Sequence, residues 1–231
     1  MSSSPSSFAV SAQFYLSFWR KRLAYPGFKP ATLFLMVLPL ASLMLAIGLF
    51  NGLGSENVRI WHQEMRLLYP SLTRLIQVVS TGSAWVLYGV YAAIFIHAVM
   101  KKDRQELTFI VRFVFCLALV LLLAGMLKVA LGMPRPGIAL PPAPFSFQDG
   151  FAAFPSGHTV QIITAALPLA FYLRRKWLFI GMSMLITLIG YSRLWLGKHD
   201  PFDILAGILV GSLIVVLIFR PVSNRKPDEN R

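Results

Sequence analysis

Two histidines and an aspartate are the side chains in this sequence best suited to group transfer. His158 ends the run PSGH, and His199 is followed four residues later by Asp203. If a helix begins near His199, this spacing places both side chains on one face. A carboxylate on one imidazole nitrogen fixes the tautomer and leaves the other nitrogen free to attack. The second imidazole, at His158, can then donate and accept a proton.

Three cations and a glycine-containing run near these residues suit a phosphate group. The cations are Lys128, Arg135 and Arg193. A guanidinium binds phosphate oxygens with two parallel hydrogen bonds, and an ammonium adds a compact charge. Ser156 and Gly157 directly precede an apolar run, where the free backbone N–H groups of a helix start would bind an anion. Glycine also lets the backbone approach closely. Together these residues predict phosphoryl transfer.

The order and spacing of these residues resemble a known family. The sequence contains Lys-x6-Arg-Pro at 128–136, Pro-Ser-Gly-His at 155–158 and Ser-Arg-x5-His-x3-Asp at 192–203. These three motifs resemble those of the type 2 phosphatidic acid phosphatase family. Residues 1–107 carry no motif of that family.

The resemblance implies phosphoryl transfer in two steps, without a metal or another cofactor. His199 would attack phosphorus and become a phosphohistidine, and Asp203 would orient it. His158 would protonate the leaving lipid oxygen and then activate water. The residues expected to hold the phosphoryl oxygens are Lys128, Arg135, Ser156, Gly157 and Arg193. No metal site is expected, because the histidines lack an HExxH pattern or cysteine partners.

The composition indicates an integral membrane protein. Of the 231 residues, 56% are hydrophobic and 13% are charged, whereas soluble domains average about 25% charged residues. The net charge of +13 would suggest nucleic-acid binding in a soluble protein. Here the basic residues cluster between apolar runs, so no nucleic-acid partner is expected. The single cysteine, Cys116, lies within an apolar run and excludes an intramolecular disulfide.

Six apolar runs predict six transmembrane helices, since a bilayer core of about 30 Å needs roughly 20 helical residues. The runs are 31–50, 83–100, 108–127, 159–173, 177–191 and 202–219. The predicted fold is therefore an all-α membrane bundle. We expect one membrane domain over 1–231, with the motif-bearing core at 108–219.

The distribution of basic residues predicts the orientation. If both termini are cytoplasmic, 15 of the 22 basic residues fall on the inner side and the other 7 on the outer side. This bias follows the positive-inside rule. All three motifs then lie at the outer side. In a bacterium the protein would lie in the cytoplasmic membrane, with its active site facing the periplasm or the cell exterior.

Several segments outside the motifs carry weaker predictions. Residues 51–82 place apolar side chains at three- and four-residue spacing, which is typical of an amphipathic helix. This outer interfacial segment could be a lid or a connector, and His62 within it is expected to face solvent. Residues 1–30 predict an inner interfacial segment, and 221–231 a polar tail. The stretch 136–155 is interpreted as either a mobile mouth or an ordered cover.

Three functions remain open from the sequence. The leading hypothesis is a membrane phosphatase acting at the outer leaflet on a lipid phosphate or pyrophosphate. The candidate substrates are undecaprenyl pyrophosphate, phosphatidylglycerol phosphate, phosphatidic acid and lipid A. The second hypothesis is a phosphotransferase that passes the group to another lipid, such as lipid A. The third is a transporter or lipid binder, against which the paired imidazoles argue. Beyond the substrate and membrane lipids, no obligatory protein partner is expected.

Overall fold

The described part of the chain is entirely helical. A computed structural model describes residues 30–52 and 56–219, and no strand occurs within them. The helices are α1 (Pro30–Asn51), α2 (Glu56–Leu68), α3 (Pro70–Lys101), α4 (Arg104–Leu131), α5 (Gly157–Leu173), α6 (Lys176–Trp195) and α7 (Pro201–Phe219). A 3₁₀ turn covers Asp149–Phe151. The all-α prediction is confirmed. The segment predicted over 1–30, apart from its last residue, and the tail 221–231 lie outside the described residues.

Five helices are long and apolar enough to cross a membrane: α1, α3, α4, α6 and α7. The remaining apolar helix, α5, has 17 residues, which corresponds to about 25 Å at 1.5 Å per residue. It packs against α3, α4, α6 and α7. Every residue from 162 to 171 is buried, so α5 occupies the centre of the bundle and meets little lipid.

The second predicted membrane helix begins earlier than expected. The sequence predicts a start at residue 83, but α3 begins at Pro70 and continues for 32 residues. At about 48 Å, it exceeds the hydrocarbon core of about 30 Å. The expected helix start was wrong because the helix continues before the apolar run, through polar residues such as Thr73 and Gln77. The segment 51–82 therefore divides into α2 and the first turns of α3.

A close contact between α5 and α7 fixes the two helix starts that carry motif residues. A Cβ atom added to Gly207 would lie 3.0 Å from the carbonyl oxygen of Ser156 and 3.0 Å from Thr159 Cβ. One turn further, Gly211 repeats the close approach, as small residues four apart allow in membrane helices. The Ser156 N–H donates to the Asp203 carbonyl at 3.0 Å. The starts of α5 and α7 are therefore joined directly.

The connection between α4 and α5 folds back onto the end of α4. Gly132 ends that helix with φ +52, a left-handed conformation that glycine adopts at little cost. The Ala143 N–H donates to the Gly132 carbonyl at 2.9 Å, and the Ala153 N–H donates to the Met133 carbonyl at 3.1 Å. Both arms of 136–155 are therefore tied by backbone hydrogen bonds to residues 132 and 133.

Candidate active site

The three sequence motifs meet at one end of the bundle. Lys128 lies in the last turn of α4, and Arg193 lies in the last turn of α6. The PSGH run leads into the first turn of α5, and Asp203 lies in the first turn of α7. Four of the predicted site residues are buried although they are polar: Ser156, Arg193, His199 and Asp203. Burial of so many polar groups costs free energy of folding unless hydrogen bonds or opposite charges compensate for it.

His199 and Asp203 form a buried pair. His199 Nδ1 lies 3.5 Å from Asp203 Oδ2, and the two residues are 3% and 5% exposed. The same Asp203 oxygen accepts a hydrogen bond from the Asp200 N–H at 3.0 Å. This reach back to the residue before the helix is half of a capping box. The start of α7 itself therefore holds the carboxylate in place.

The environment of His199 favours the neutral imidazole. Burial lowers the pKa of His199 below its ordinary value, and the Asp203 carboxylate opposes part of that effect. A neutral ring with Nδ1–H facing Asp203 leaves a lone pair on Nε2. Beside it, burial and the Asp203 charge raise the pKa of Asp200 to about 6.

The loop that carries His199 turns back on the end of α6. The His199 N–H and the Lys198 N–H both point to the Arg193 carbonyl, at 3.3 and 3.0 Å. Gly197, within this turn, has φ +63, a region that favours glycine. The turn therefore brings His199 back beside the helix end that presents Arg193.

Arg66 of α2 holds this loop from outside. Its Nη1 donates to the Trp195 carbonyl at 2.5 Å. Its guanidinium also lies over Gly197, where an added Cβ would be 3.1 Å from Nη1. Sequence reasoning missed Arg66 as a positioning residue. The only signal in the sequence was that Arg66 is basic and falls on the predicted outer side, where the positive-inside rule expects few basic residues.

Lys128 lies over the start of α5. A Cβ added to Gly157 would be 3.7 Å from Lys128 Cε, and Lys128 Nζ donates to the Ala152 carbonyl at 2.5 Å. Ser156 is the N-cap of α5, and its Oγ accepts a hydrogen bond from the Thr159 hydroxyl at 3.0 Å. An ammonium and the free N–H groups of a helix start therefore meet at one place, as an anion site requires.

Arg193 is oriented by a serine from α3. Its Nη1 donates to Ser80 Oγ at 3.1 Å, and Ser192 Oγ lies 2.7 Å from the same oxygen. Arg193 Nε is buried and has no hydrogen-bond partner within the described residues. An unpaired buried donor is costly, so this N–H is available to an anion. Ser80 belongs to none of the sequence motifs, so its role was not predicted.

Arg135 and His158, like Lys128 and Gly157, are half-buried, whereas the other four site residues are buried. Arg135 Nε donates to the Asp149 carbonyl at 2.8 Å, and its Nη2 pairs with Asp149 Oδ1 at 2.5 Å. Asp149 is 84% exposed in its side chain, so this pair contributes little stability and can exchange partners. His158 is the second residue of α5 and is half-buried.

His62 does not face solvent, and that expectation was wrong. It is 4% exposed, with Nδ1 2.7 Å from the Val58 carbonyl and Nε2 3.2 Å from the Tyr191 hydroxyl. Burial lowers its pKa. The periodicity of 51–82 does not reveal that this face of α2 packs on α6.

No group of three or more metal-ligating side chains occurs in residues 30–52 and 56–219.

Residues 109–227 match the model of the PAP2 superfamily. This range is just over half of the chain. The chain belongs to the PAP2 superfamily. The family resemblance of the three motifs is thus confirmed, and all eight predicted site residues fall inside the PAP2 range. With five helices of membrane-spanning length and composition, this PAP2 member is a multi-pass membrane protein.

Parts of several phosphatases from other organisms are similar to this chain. Undecaprenyl-diphosphatase BcrC of Bacillus subtilis is 34% identical over 89 residues, which are 38% of this chain and 44% of that protein. A lipid A 1-phosphatase of Rhizobium johnstonii is 37% identical over 108 residues, covering 42% and 43% of the two chains. A lipid A 4'-phosphatase of Porphyromonas gingivalis is 26% identical, covering 66% of each chain. The chain therefore spans less than half the length of the first two.

A solved PAP2 structure is also similar. It is the transmembrane PAP2-type phosphatidylglycerolphosphate phosphatase of Bacillus subtilis, with 24% identity and a TM-score of 0.47. The match covers 82% of this chain and 94% of that structure.

Proposed function

We propose that this PAP2 protein is a membrane lipid phosphatase that hydrolyses a phosphate or pyrophosphate monoester of a lipid. The observation that carries the proposal is the buried pair of His199 and Asp203 at the bundle end that also presents Lys128, Arg193 and the start of α5. A nucleophile with its orienting carboxylate and a cluster of phosphate-binding groups thus share one end. A binding protein would need the cations but not the oriented imidazole.

The first step transfers the phosphoryl group to the protein. His199 Nε2 attacks phosphorus with its lone pair, and the bond from phosphorus to the lipid oxygen breaks. His158 gives its proton to that leaving oxygen. The Nδ1 proton of His199 stays on the ring and faces Asp203, which stabilises the positive charge. Lys128, Arg193 and the N–H groups of α5 stabilise the negative charge that develops on the phosphoryl oxygens.

The second step returns the phosphoryl group to water. The now neutral His158 accepts a proton from a water molecule whose oxygen attacks phosphorus. The bond between phosphorus and nitrogen breaks, and its electron pair returns to His199 Nε2. Inorganic phosphate leaves, and His158 is protonated again. The cycle is closed without a cofactor.

The proposal includes an orientation and six membrane crossings. We propose that α5 is the sixth crossing, shielded from lipid by its neighbours, and that both termini are cytoplasmic. The end opposite the site carries the basic clusters 101–104 and 174–176, which supports a cytoplasmic location for that end. The active site then lies at the outer leaflet, where a head group enters while the lipid chains stay between helices.

The substrate class comes from the motifs and from the relatives. Undecaprenyl pyrophosphate and lipid A appear in the names of relatives. Phosphatidylglycerol phosphate and phosphatidic acid fit the same head-group chemistry.

Product analysis with a donor lipid labelled at its terminal phosphate tests the reaction type. We expect free labelled phosphate from a hydrolase. Label appearing in a second lipid would instead establish the phosphotransferase.

A further inference from the structure

A second group of charged side chains borders the proposed active site. A cavity of about 430 Å³ is lined by Glu56 and Arg59 of α2, by residues 134–139 and by Asp200. Two of its lining residues connect it to the reaction centre. Arg135 belongs to the predicted phosphate-binding set, and Asp200 directly follows His199. The volume lies within the usual range of ligand pockets, about 300–1,000 Å³.

Arg59 has a donor without a partner. Its Nη2 pairs with Glu56 Oε1, and its Nη1 donates to Gln63 Oε1 at 3.3 Å. Its Nε is buried and makes no hydrogen bond within the described residues. The aliphatic part packs against Gly137, where an added Cβ would lie 3.6 Å from Arg59 Cδ. The side chain is therefore held at the cavity wall with hydrogen-bonding capacity unused.

The present partners of both cavity arginines are replaceable. The Glu56 side chain is 69% exposed, and that of Asp149, the partner of Arg135, is 84% exposed. Ion pairs with such exposed carboxylates are weak. A phosphate offers each guanidinium a stronger, two-pronged arrangement. Asp200 opposes an anion when it is ionised, and burial raises its pKa to about 6, so this repulsion weakens as the pH falls below about 6.

We propose that Arg59, on the cavity that Arg135 shares with the reaction centre, forms a second phosphate-binding subsite next to the first. This inference rests on the proposed lipid phosphatase function of the adjoining site. The ligand is a phosphate group, either a further phosphate in the head group of the substrate or inorganic phosphate after its release. Arg59 lies outside the residues 109–227 that match PAP2, so the subsite is built partly by a segment beyond the matched range.

Kinetics distinguish the two sources of phosphate. We compare wild type, Arg59→Gln and Arg59→Lys with a matched control, Arg74→Gln, whose arginine is exposed on α3 and does not line the cavity. Loss of a charge-assisted hydrogen bond weakens binding about tenfold or more. If the ligand is released phosphate, Arg59→Gln raises the concentration of inorganic phosphate that inhibits lipid hydrolysis. If it is the head group, Arg59→Gln raises the KM ratio of a lipid pyrophosphate to its monophosphate.

A binding measurement without turnover separates this inference from the proposed function. Inorganic phosphate, compared with chloride at equal ionic strength, should raise the melting temperature of wild type and Arg74→Gln. Arg59→Gln should lose part of this shift, and Arg59→Lys should lose less because it keeps the charge. A wild type that hydrolyses no lipid would refute the phosphatase, while the melting experiment would still test Arg59. If Arg59→Gln matches wild type in the phosphate-induced melting shift and, where lipid is hydrolysed, in phosphate inhibition and the KM ratio, the subsite is overturned.

Discussion

His199 Nδ1 lies 3.5 Å from Asp203 Oδ2, and the start of α7 fixes the position of the carboxylate. The Asp203 side chain accepts from the Asp200 N–H, and its carbonyl accepts from the Ser156 N–H. Hydrogen bonds therefore join the carboxylate that faces the nucleophile to the residue before α7, and join the start of α7 to the start of α5. Such preorganisation lets an active site stabilise developing charge without rearranging.

Replacing Asp203 by Asn should remove the orientation of His199 while preserving the fold. The amide oxygen can still accept from the Asp200 N–H, so the start of α7 is retained. The ring of His199, however, loses the anion that selects its tautomer. We expect kcat to fall by about 10²- to 10⁴-fold, with the melting temperature nearly unchanged. Activity within twofold of wild type would show that Asp203 does not orient the nucleophile.

Asp200 should make stability depend on pH. Its pKa is raised from 3.8 to about 6 in the folded protein, so the folded state binds the proton more tightly than the unfolded state does. The stabilisation from the protonated carboxyl is complete below pH 3.8 and is lost as the pH rises through about 6. Ionised Asp200 therefore costs stability at neutral pH, by less than the roughly 3 kcal/mol that the full shift corresponds to, because solvent screens this partly exposed carboxylate.

The matching experiment compares melting temperatures of wild type and Asp200→Asn in detergent. The variant should be more stable at pH 8, and the difference should shrink toward pH 5. A difference that is the same at both pH values would contradict a raised pKa for Asp200.

Gly197→Ala should disturb the loop that carries His199. The position has φ +63, which costs a residue with a side chain about 1–2 kcal/mol, and the new Cβ would press on the Arg66 guanidinium at 3.1 Å. We expect kcat to fall about tenfold or more because His199 moves. Gly181→Ala is the control, since no atom lies within 4 Å of its added Cβ. Equal kcat values for the two variants would argue against a strained loop.

Gly207→Ala should separate the starts of α5 and α7. Its Cβ would lie 3.0 Å from the Ser156 carbonyl oxygen, and backbone cannot move aside as a flexible side chain can. We expect a loss of stability of about 1–3 kcal/mol together with reduced phosphate release. Gly125→Ala on α4, with open space around its Cβ, should leave stability and phosphate release unchanged. Wild-type behaviour of the Gly207 variant would refute tight packing at this contact.

The sequence anticipated that His199 and Asp203 lie close together, because that proximity depends on a short spacing. Asp203 follows His199 by four positions, and a helix that begins between them brings the side chains together. The apolar runs likewise located α1 and α7 to within one residue. The start of α3 was harder to predict, because composition does not show how far a helix continues beyond an apolar run.

The supporting residues could not be predicted, because their partners are distant in the chain. Ser80 contacts Arg193 across 113 positions, and Arg66 contacts Trp195 across 129. Periodicity shows that a helix has two faces, but it does not show which neighbour covers one of them. For the same reason, the burial of His62 against Tyr191 became evident only from the packing of α2 on α6.

The most direct test of the central claim is phosphate release by the purified protein in detergent with EDTA present. Undecaprenyl pyrophosphate, phosphatidylglycerol phosphate, phosphatidic acid and lipid A are compared as substrates for wild type, His199→Ala and His97→Ala. His97 is a matched control, because it pairs with Glu106 at the opposite end of the bundle. We expect wild type and His97→Ala to release phosphate from at least one lipid, and His199→Ala to lose about 10⁴-fold or more. Release by His199→Ala at the wild-type rate, or no release by wild type from any lipid, would contradict a histidine-dependent lipid phosphatase.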